Sequence, residues 1–270
     1  MKAIFWRTIK DRRIVLLIYC LGVIGFLWMY VGMFPSFADK KDEFNQLMQY
    51  YPKEMMQAFG ITEITQIFSS IENFLAMEQF SIVWPIVVIA LAVSIGGSSI
   101  AGEIEAGTIE TLLELPISRV KIFFAKYLGG LVLIAVFTAV SVFAVIPLAA
   151  AYHVDYQASH YVTTFVIGLL FAWAIMTLAF FFSVVFNSKG RAYFIPVGIL
   201  ILMYVLKIIS SLKENLKDLQ YTSFFYYFDA NKSLINNKID NWSYLIFGGV
   251  IIVFTIIAVF WFSKRDIVVS

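Results

Sequence analysis

The sequence predicts an all-α integral membrane protein whose six transmembrane helices form a single domain over residues 1–270. Of the 270 residues, 61% are hydrophobic and only 14% are charged, and the mean hydropathy is +0.84. A soluble domain of this size does not need so much apolar surface. A helix needs about 20 apolar residues to cross a bilayer. Runs of this kind occupy residues 14–34, 80–100, 127–152, 161–186, 193–212 and 242–262.

The first thirteen residues are predicted to form a separate interfacial helix. Ile4, Phe5 and Ile9 are interleaved with basic residues, a pattern typical of a helix that lies along a membrane surface. A topology signal without further function would have the same composition. In either case the first span is expected to begin at Ile14.

The arginines predict the orientation of the chain. Cytoplasmic loops of membrane proteins carry an excess of basic residues. With six spans, both termini lie on one side of the membrane. Arginine occurs only in segments of that side, at positions 7, 12, 13, 119, 191 and 265. We therefore expect both termini in the cytoplasm.

Two longer segments are predicted on the external side. Residues 35–79 contain candidate short helices at 42–50 and 62–75. The apolar stripe of the second candidate favours packing against neighbouring helices over ligand binding. Residues 213–241 include the aromatic run 224–228, whose rings are expected at the level of the lipid headgroups.

The second apolar run carries a stripe of small residues that leads into a polar insert. Ala90, Ser94, Ser98 and Gly102 recur every four residues. Such spacing lets two membrane helices approach closely. The stripe, and above all Ala90, Ser94 and Ser98, is therefore predicted to form a close helix contact, within the chain or with a second copy.

The insert, residues 101–118, is predicted to be one amphipathic helix. At about 100° per residue, its acidic face would carry Glu103, Gly107, Glu110 and Glu114. The opposite face would carry Ala106, Ile109, Leu112 and Leu113. A helix made to lie on an anionic membrane usually presents lysine and arginine. An acidic face instead favours a protein partner with basic or amide side chains.

The residues from Gly102 to Arg119 resemble a known family. They read E-x-E-x-G-T-x-E-x-L-L-x-x-P-x-S-R, which is similar to the cytoplasmic insert of ABC-2-type transporter permeases. In that family the insert is the coupling helix that docks on the ATPase subunit. The resemblance implies that Glu103, Glu105, Thr108 and Glu110 make the polar contacts with that subunit. It also implies that Leu112 and Leu113 hold the insert to the permease, and that Pro116, Ser118 and Arg119 end it and begin the third span.

The resemblance further implies an exporter of the bacterial cytoplasmic membrane. Two permeases, identical or different, would work with two ATPase subunits, which bind ATP and Mg²⁺, while this chain binds no cofactor. The apolar spans favour a lipid, a hydrophobic drug or an amphipathic peptide as substrate. They do not indicate which residues bind it.

Several functions are disfavoured by what the sequence lacks. It contains no phosphate-binding loop, no H-E-x-x-H pair and no G-x-S-x-G motif, so no catalytic residue is predicted. The single cysteine, Cys20, and two histidines give no support for a metal site. The basic residues form no stripe that would bind nucleic acid.

Two other functions remain possible at this stage. No Asp, Glu or Arg lies deep in a span, which disfavours an ion-driven carrier and points to a partner as the energy source. A channel or carrier independent of an ATPase would treat the insert as a solvated loop. A non-transporting membrane scaffold, such as an immunity protein, would show no turnover.

Overall fold

The computed structural model describes residues 1–40, 43, 50 and 67–265, and within these residues every regular element is a helix. Six helices in this part of the chain are long and apolar enough to cross a membrane. They are α1 (Lys2–Asp39), α2 (Ile71–Gly97), α5 (Arg119–Ala151), α6 (Ala158–Val185), α7 (Lys189–Leu212) and α9 (Asn241–Lys264). The short helices α3 (Ala101–Glu105) and α4 (Ile109–Leu113) form the insert.

Helix α1 is continuous over 38 residues. The predicted division into an interfacial helix and a first span at Ile14 is therefore wrong. No glycine or proline lies between Met1 and Ile14, so nothing in the local sequence ends the helix there. At 1.5 Å per residue the helix is about 57 Å long. This exceeds the roughly 30 Å of the hydrocarbon core, so its ends project beyond it.

The second span begins nine residues earlier than predicted. Ser70 caps its first turn, where the Ser70 hydroxyl accepts a hydrogen bond from the Asn73 backbone N–H at 3.2 Å. The helix continues through a π segment, Ala76–Val83, into Trp84–Gly97. Residues 71–75 thus belong to the span and not to an external helix. Residues 62–66, and most of 42–50, lie outside the described part.

The start of α2 packs against the end of α1. Phe74 is buried, and its ring lies 5.7 Å from that of Phe34 and 5.8 Å from that of Phe37. The ring of Phe68 stacks on Phe37 at 5.6 Å. The expectation that these apolar residues pack against their neighbours is confirmed for Phe68 and Phe74.

The aromatic run after α7 packs inside the bundle. The chain forms a 3₁₀ helix, Glu214–Thr222, then α8 (Phe224–Tyr227) and a π segment, Asn231–Ile235. Phe228 is buried, and its ring stacks on those of Trp84 at 5.1 Å and Phe171 at 4.7 Å. For the phenylalanines of this run, the expected position at the headgroups is wrong. Phe228 instead lies between α2 and α6, whereas Phe225 packs on α6 and α7 and Phe224 packs on Phe247 of α9.

Helix α6 lies at the centre of the bundle and contacts α2, α5, α7 and α9. Helix α2 approaches α6 closely at Gly96, where an added Cβ would lie 2.4 Å from the Met176 carbonyl oxygen. The close contact within the chain therefore uses Gly96. Ala90 is exposed and Ser94 is half-buried, whereas Ser98 is buried, so the contact with α6 uses a glycine beside the predicted stripe. A contact of the stripe with a second copy stays a prediction.

Two clusters mark one end of the bundle, called the insert end because it carries α3 and α4. At this end Arg12 of α1 donates hydrogen bonds to Ser94 and Ser98 of α2. Arg265, just after α9, donates to the Val184 carbonyl and to Asn187. Both termini of the described chain therefore meet the insert end.

We expect the Gly96→Ala variant to lower the thermal unfolding midpoint of the detergent-solubilised protein. The new Cβ would collide with the backbone of α6, and overpacking of this kind costs about 1–3 kcal/mol. Gly198→Ala in α7 is the matched control, because no atom lies within 4 Å of its Cβ position. That change should leave the midpoint unchanged or raise it slightly. Equal midpoints for the two variants would contradict the close contact.

Candidate functional site

The insert consists of two short helices joined by a left-handed turn. Helix α3 ends at Glu105, and Gly107 adopts φ +70° before α4 begins at Ile109. The Thr108 backbone N–H donates to the Glu103 carbonyl at 2.9 Å across this turn. Glycine takes such a conformation without steric cost. The predicted single helix over 101–118 is therefore wrong, and its continuous acidic face does not form.

Glu103 points into the protein and pairs with Lys126. The Lys126 ammonium donates to Glu103 Oε1 at 2.6 Å, and the Thr108 hydroxyl donates to Glu103 Oε2. The exposed fractions of the two charged side chains are 9% for Lys126 and 17% for Glu103. Sequence analysis placed Glu103 on an exposed face and missed Lys126, which stands 23 positions later, beside the third apolar run. No spacing rule links the two positions.

The environment of Glu103 keeps its carboxylate charged. Burial alone would raise the pKa of Glu103. The charge and hydrogen bond of Lys126, the hydrogen bond from Thr108 and the charge of Arg7 outweigh burial, and they lower this pKa. The ion pair therefore persists at neutral pH. Its contribution to stability is lost as the pH falls through the lowered pKa of Glu103.

Glu105 connects the insert to α7. Its Oε2 accepts a hydrogen bond at 2.7 Å from the Lys189 backbone N–H, in the first turn of α7. The first N–H groups of a helix have no partner within the helix, and a carboxylate there also interacts favourably with the helix dipole. Glu105 is exposed, but its carboxylate already accepts this hydrogen bond from α7.

Ser183 of α6 anchors the junction between α2 and α3. Its hydroxyl accepts hydrogen bonds from the backbone N–H groups of Ile100 and Ala101, both at 2.9 Å. Both of these residues are buried, where an unpaired N–H would be costly. A lone serine inside an apolar run gave no signal of this role in the sequence.

The apolar side of the insert packs on the bundle. Ile109 and Leu112 are buried, and Leu113 is half-buried. Ala106, predicted for the same side, is exposed because it lies in the turn. Apolar burial thus adds to the three polar anchors and fixes the position of α4.

The outer face of the insert is formed by residues near α4. Thr108, Glu110 and Pro116 are exposed, together with Glu114 and Leu115. Within the described residues, no ion pair holds the carboxylates of Glu110 and Glu114. This outer acidic face, defined by Glu110, Glu114 and Leu115, is the part of the insert that can contact another molecule.

The residues after the outer face begin the third span. The Ser118 hydroxyl accepts from the Lys121 backbone N–H at 3.4 Å, which caps α5 at the predicted position. Arg119 donates to the Arg265 carbonyl oxygen and so joins the start of α5 to the end of α9. Among the residues that the structure describes, no group of His, Cys, Asp or Glu is placed to hold a metal ion.

We expect Glu103→Gln to destabilise the protein by about 3 kcal/mol, because it leaves the Lys126 ammonium buried without its counter-charge. Combining it with Lys126→Met should restore much of the loss, since no buried charge then remains. Thermal unfolding of the four proteins in a double-mutant cycle measures this coupling. Additive losses would contradict a direct pair. Wild-type stability should also fall at acid pH more steeply than that of the double variant.

Comparison with known proteins identifies the family of this chain. No curated protein matches it. A family model described as "ABC-2 family transporter protein" matches residues 3–267. The match runs from α1 to the end of α9 and includes the insert and its anchors. The chain therefore belongs to the ABC-2 family of transporter proteins.

Proposed function

We propose that this chain is the permease subunit of an ATP-driven exporter, and that its outer acidic face docks on a separate ATPase subunit. The observation that supports this proposal is the attachment of the insert to three spanning helices. Glu103 ties it to α5, Ser183 ties its start to α6, and Glu105 ties it to α7. A solvated loop does not need such anchors.

These anchors offer a route from the ATPase to the membrane. A hydrogen bond from the Gly102 N–H to the Ser98 carbonyl at 3.1 Å joins α3 to the end of α2. A displacement of α4 would therefore reach α2 through α3, and α5, α6 and α7 through the anchors. Closure of the ATPase subunits around ATP and Mg²⁺ would in this way reorient the spans, while this chain itself hydrolyses nothing.

The chemistry of the outer face specifies the ATPase surface it would meet. Glu110 and Glu114 carry negative charge, and Leu115 beside them is 42% exposed. A groove with basic or amide side chains around an apolar centre would complement this face. Thr108 would add a polar contact. Of the carboxylates implied by the family resemblance, Glu110 is the one free to take this role, because Glu103 and Glu105 are engaged within the permease.

The proposed orientation places the insert end in the cytoplasm, where ATP is available. Arg12, Arg119 and Arg265 all form contacts at this end, which agrees with the positive-inside rule. The location is then a bacterial cytoplasmic membrane. The complete transporter would contain two permeases and two ATPase subunits.

The proposed substrate is hydrophobic or amphipathic and moves outward. The apolar runs of the six spans contain no Asp, Glu or Arg, whereas pathways for ions or protons require such groups. A path lined by these spans would offer mainly apolar and aromatic contacts.

We expect the Glu110→Lys/Glu114→Lys variant to lose co-purification with the ATPase. Placing two positive charges opposite a basic groove costs several kcal/mol, so binding should weaken roughly 100-fold. The matched control is Glu214→Lys/Asp218→Lys, which makes the same charge change at exposed positions of the opposite end. Pull-down and stimulation of ATP hydrolysis in reconstituted vesicles measure the effect.

The same vesicles separate the three function classes. An exporter moves an amphipathic substrate only with the ATPase and ATP, and mutation of the phosphate-loop lysine of the ATPase stops transport. Transport by this chain alone would establish the channel or carrier. Substrate binding without turnover under every condition would establish the scaffold. Full ATPase binding by Glu110→Lys/Glu114→Lys would disprove docking at the outer acidic face.

We expect cysteine labelling to place the insert end in the cytoplasm. In a Cys20→Ser background, Ser36→Cys and Ser159→Cys should react with an impermeant thiol reagent in intact cells. Thr111→Cys should react only after permeabilisation. All three side-chain positions are exposed, so differences in burial do not explain a difference in labelling. Reaction of Thr111→Cys in intact cells would reverse the orientation.

A further inference from the structure

A polar cavity of about 310 Å³ lies at the insert end, between α1, the insert and the start of α7. Its volume falls within the range of small-molecule sites. Six charged side chains line it: Arg7, Arg12, Lys126, Lys189, Asp11 and Glu103. Four are basic and two are acidic, so the lining is cationic overall.

Two of the four cations are already neutralised. Arg7 pairs with Asp11 at 3.5 Å, and Lys126 pairs with Glu103 at 2.6 Å. Among the residues that the structure describes, Asp11 and Glu103 are the only two whose carboxylates line the cavity. Within the described part of the chain, Arg12 and Lys189 therefore contribute two positive charges without a carboxylate at ion-pair distance of their side chains.

Arg12 and Lys189 come from different helices and both reach residues 98–102, where α2 passes into α3. The Arg12 guanidinium donates to the Ser94 hydroxyl at 3.4 Å and also to the Ser98 hydroxyl. Both of these hydrogen-bond partners are neutral, so neither offsets the positive charge of Arg12. The Lys189 side chain lies across Gly102, where an added Cβ would be 3.1 Å from Lys189 Cε. An anion above residues 98–102 could contact both cations.

The cavity lies at the depth of lipid headgroups. Arg12 stands two residues before the first apolar run, and Lys126 stands immediately before the third. Lys189 begins α7, four residues before the fifth run. All three therefore mark the level at which the hydrocarbon core ends. Phospholipid phosphates occupy this level, and basic pockets between helices bind anionic headgroups.

A separate apolar cavity lies between α2 and α7, nearer the membrane centre. It measures about 420 Å³ and is lined by α2 and α7, including Ala90, Ile86 and Ile201. Ala90 lies eight residues before Ser98 on α2, or about 12 Å along the helix axis. A molecule with an anionic head and a hydrocarbon chain would match a polar cavity followed by an apolar one. A free phosphate ion would use only the polar part.

We propose that the cavity between Arg12 and Lys189 binds the phosphate of an anionic phospholipid from the leaflet at the insert end. Arg12 and Lys189 contact the phosphate, and the acyl chains lie along the groove between α2 and α7. The lipid thereby bridges α1 and α7 across the end of α2. This site does not depend on the ATPase.

The test is a titration of the detergent-solubilised, full-length permease with dioleoylphosphatidylglycerol, followed by thermal unfolding. A ligand that binds the folded state raises the unfolding midpoint. Dioleoylphosphatidylcholine, with no net charge, should raise it less. Because each basic residue near an anionic lipid contributes about a factor of five, Arg12→Gln/Lys189→Gln should weaken apparent binding roughly 25-fold.

The matched control is Arg13→Gln/Arg191→Gln, which removes the same charge from exposed positions outside the cavity lining and should keep wild-type affinity. Should the double variant not fold, Lys189→Gln alone breaks no ion pair and should lose about fivefold. Equal loss in the control would overturn the site in favour of general surface attraction. Equal stabilisation by inorganic phosphate would identify a free-anion site, and equal effects of the two lipids would also overturn the proposal.

Discussion

The ion pair between Glu103 and Lys126 determines how the insert sits on the bundle. An ammonium next to an apolar run is costly unless a counter-charge neutralises it. Glu103 supplies that charge at 2.6 Å, and the left-handed turn at Gly107 lets the Thr108 hydroxyl reach the same carboxylate. Glu103, the first acidic residue of the motif, therefore has a structural role. Glu110 and Glu114 remain available on the outside, because the turn separates them from the paired carboxylate.

The contacts of α6 connect the insert to most of the bundle. Helix α6 contacts four other spans, and its Ser183 holds the start of the insert. Near the middle of both helices, Phe171 of α6 stacks on Phe228, which also stacks on Trp84 of α2. Helices α2 and α6 are thus joined by hydrogen bonds at the insert end and by aromatic rings near their middles. The backbone approach at Gly96 lies between them.

The sequence was sufficient for six spans and for the apolar side of the insert, because both depend on composition and local periodicity. It was insufficient for helix ends. Hydropathy shows where an apolar run begins and ends, whereas a helix such as α1 extends beyond that run for as long as its backbone hydrogen bonds continue. The Glu103–Lys126 pair joins positions 23 residues apart, and no local pattern encodes it. Phe228 shows a third limit, because an aromatic run has the same composition at a headgroup surface as in a core. Only Gly107 gave a local signal of the break in the insert.

The insert has two chemically different surfaces. Its outer face carries Glu110 and Glu114, whereas its inner side, through Gly102 and Glu103, forms part of a cationic cavity. Lys189 lies across Gly102 of α3, and Arg12 of α1 donates to Ser98 just before α3, so a movement of α3 that alters these contacts would change the cavity. If the partner proposed for the outer face also binds one arrangement better than the other, thermodynamic linkage requires each molecule to change the affinity of the other by the same factor. The rigidity of the anchors sets the size of that coupling, because a loosely held insert could move without altering the cavity.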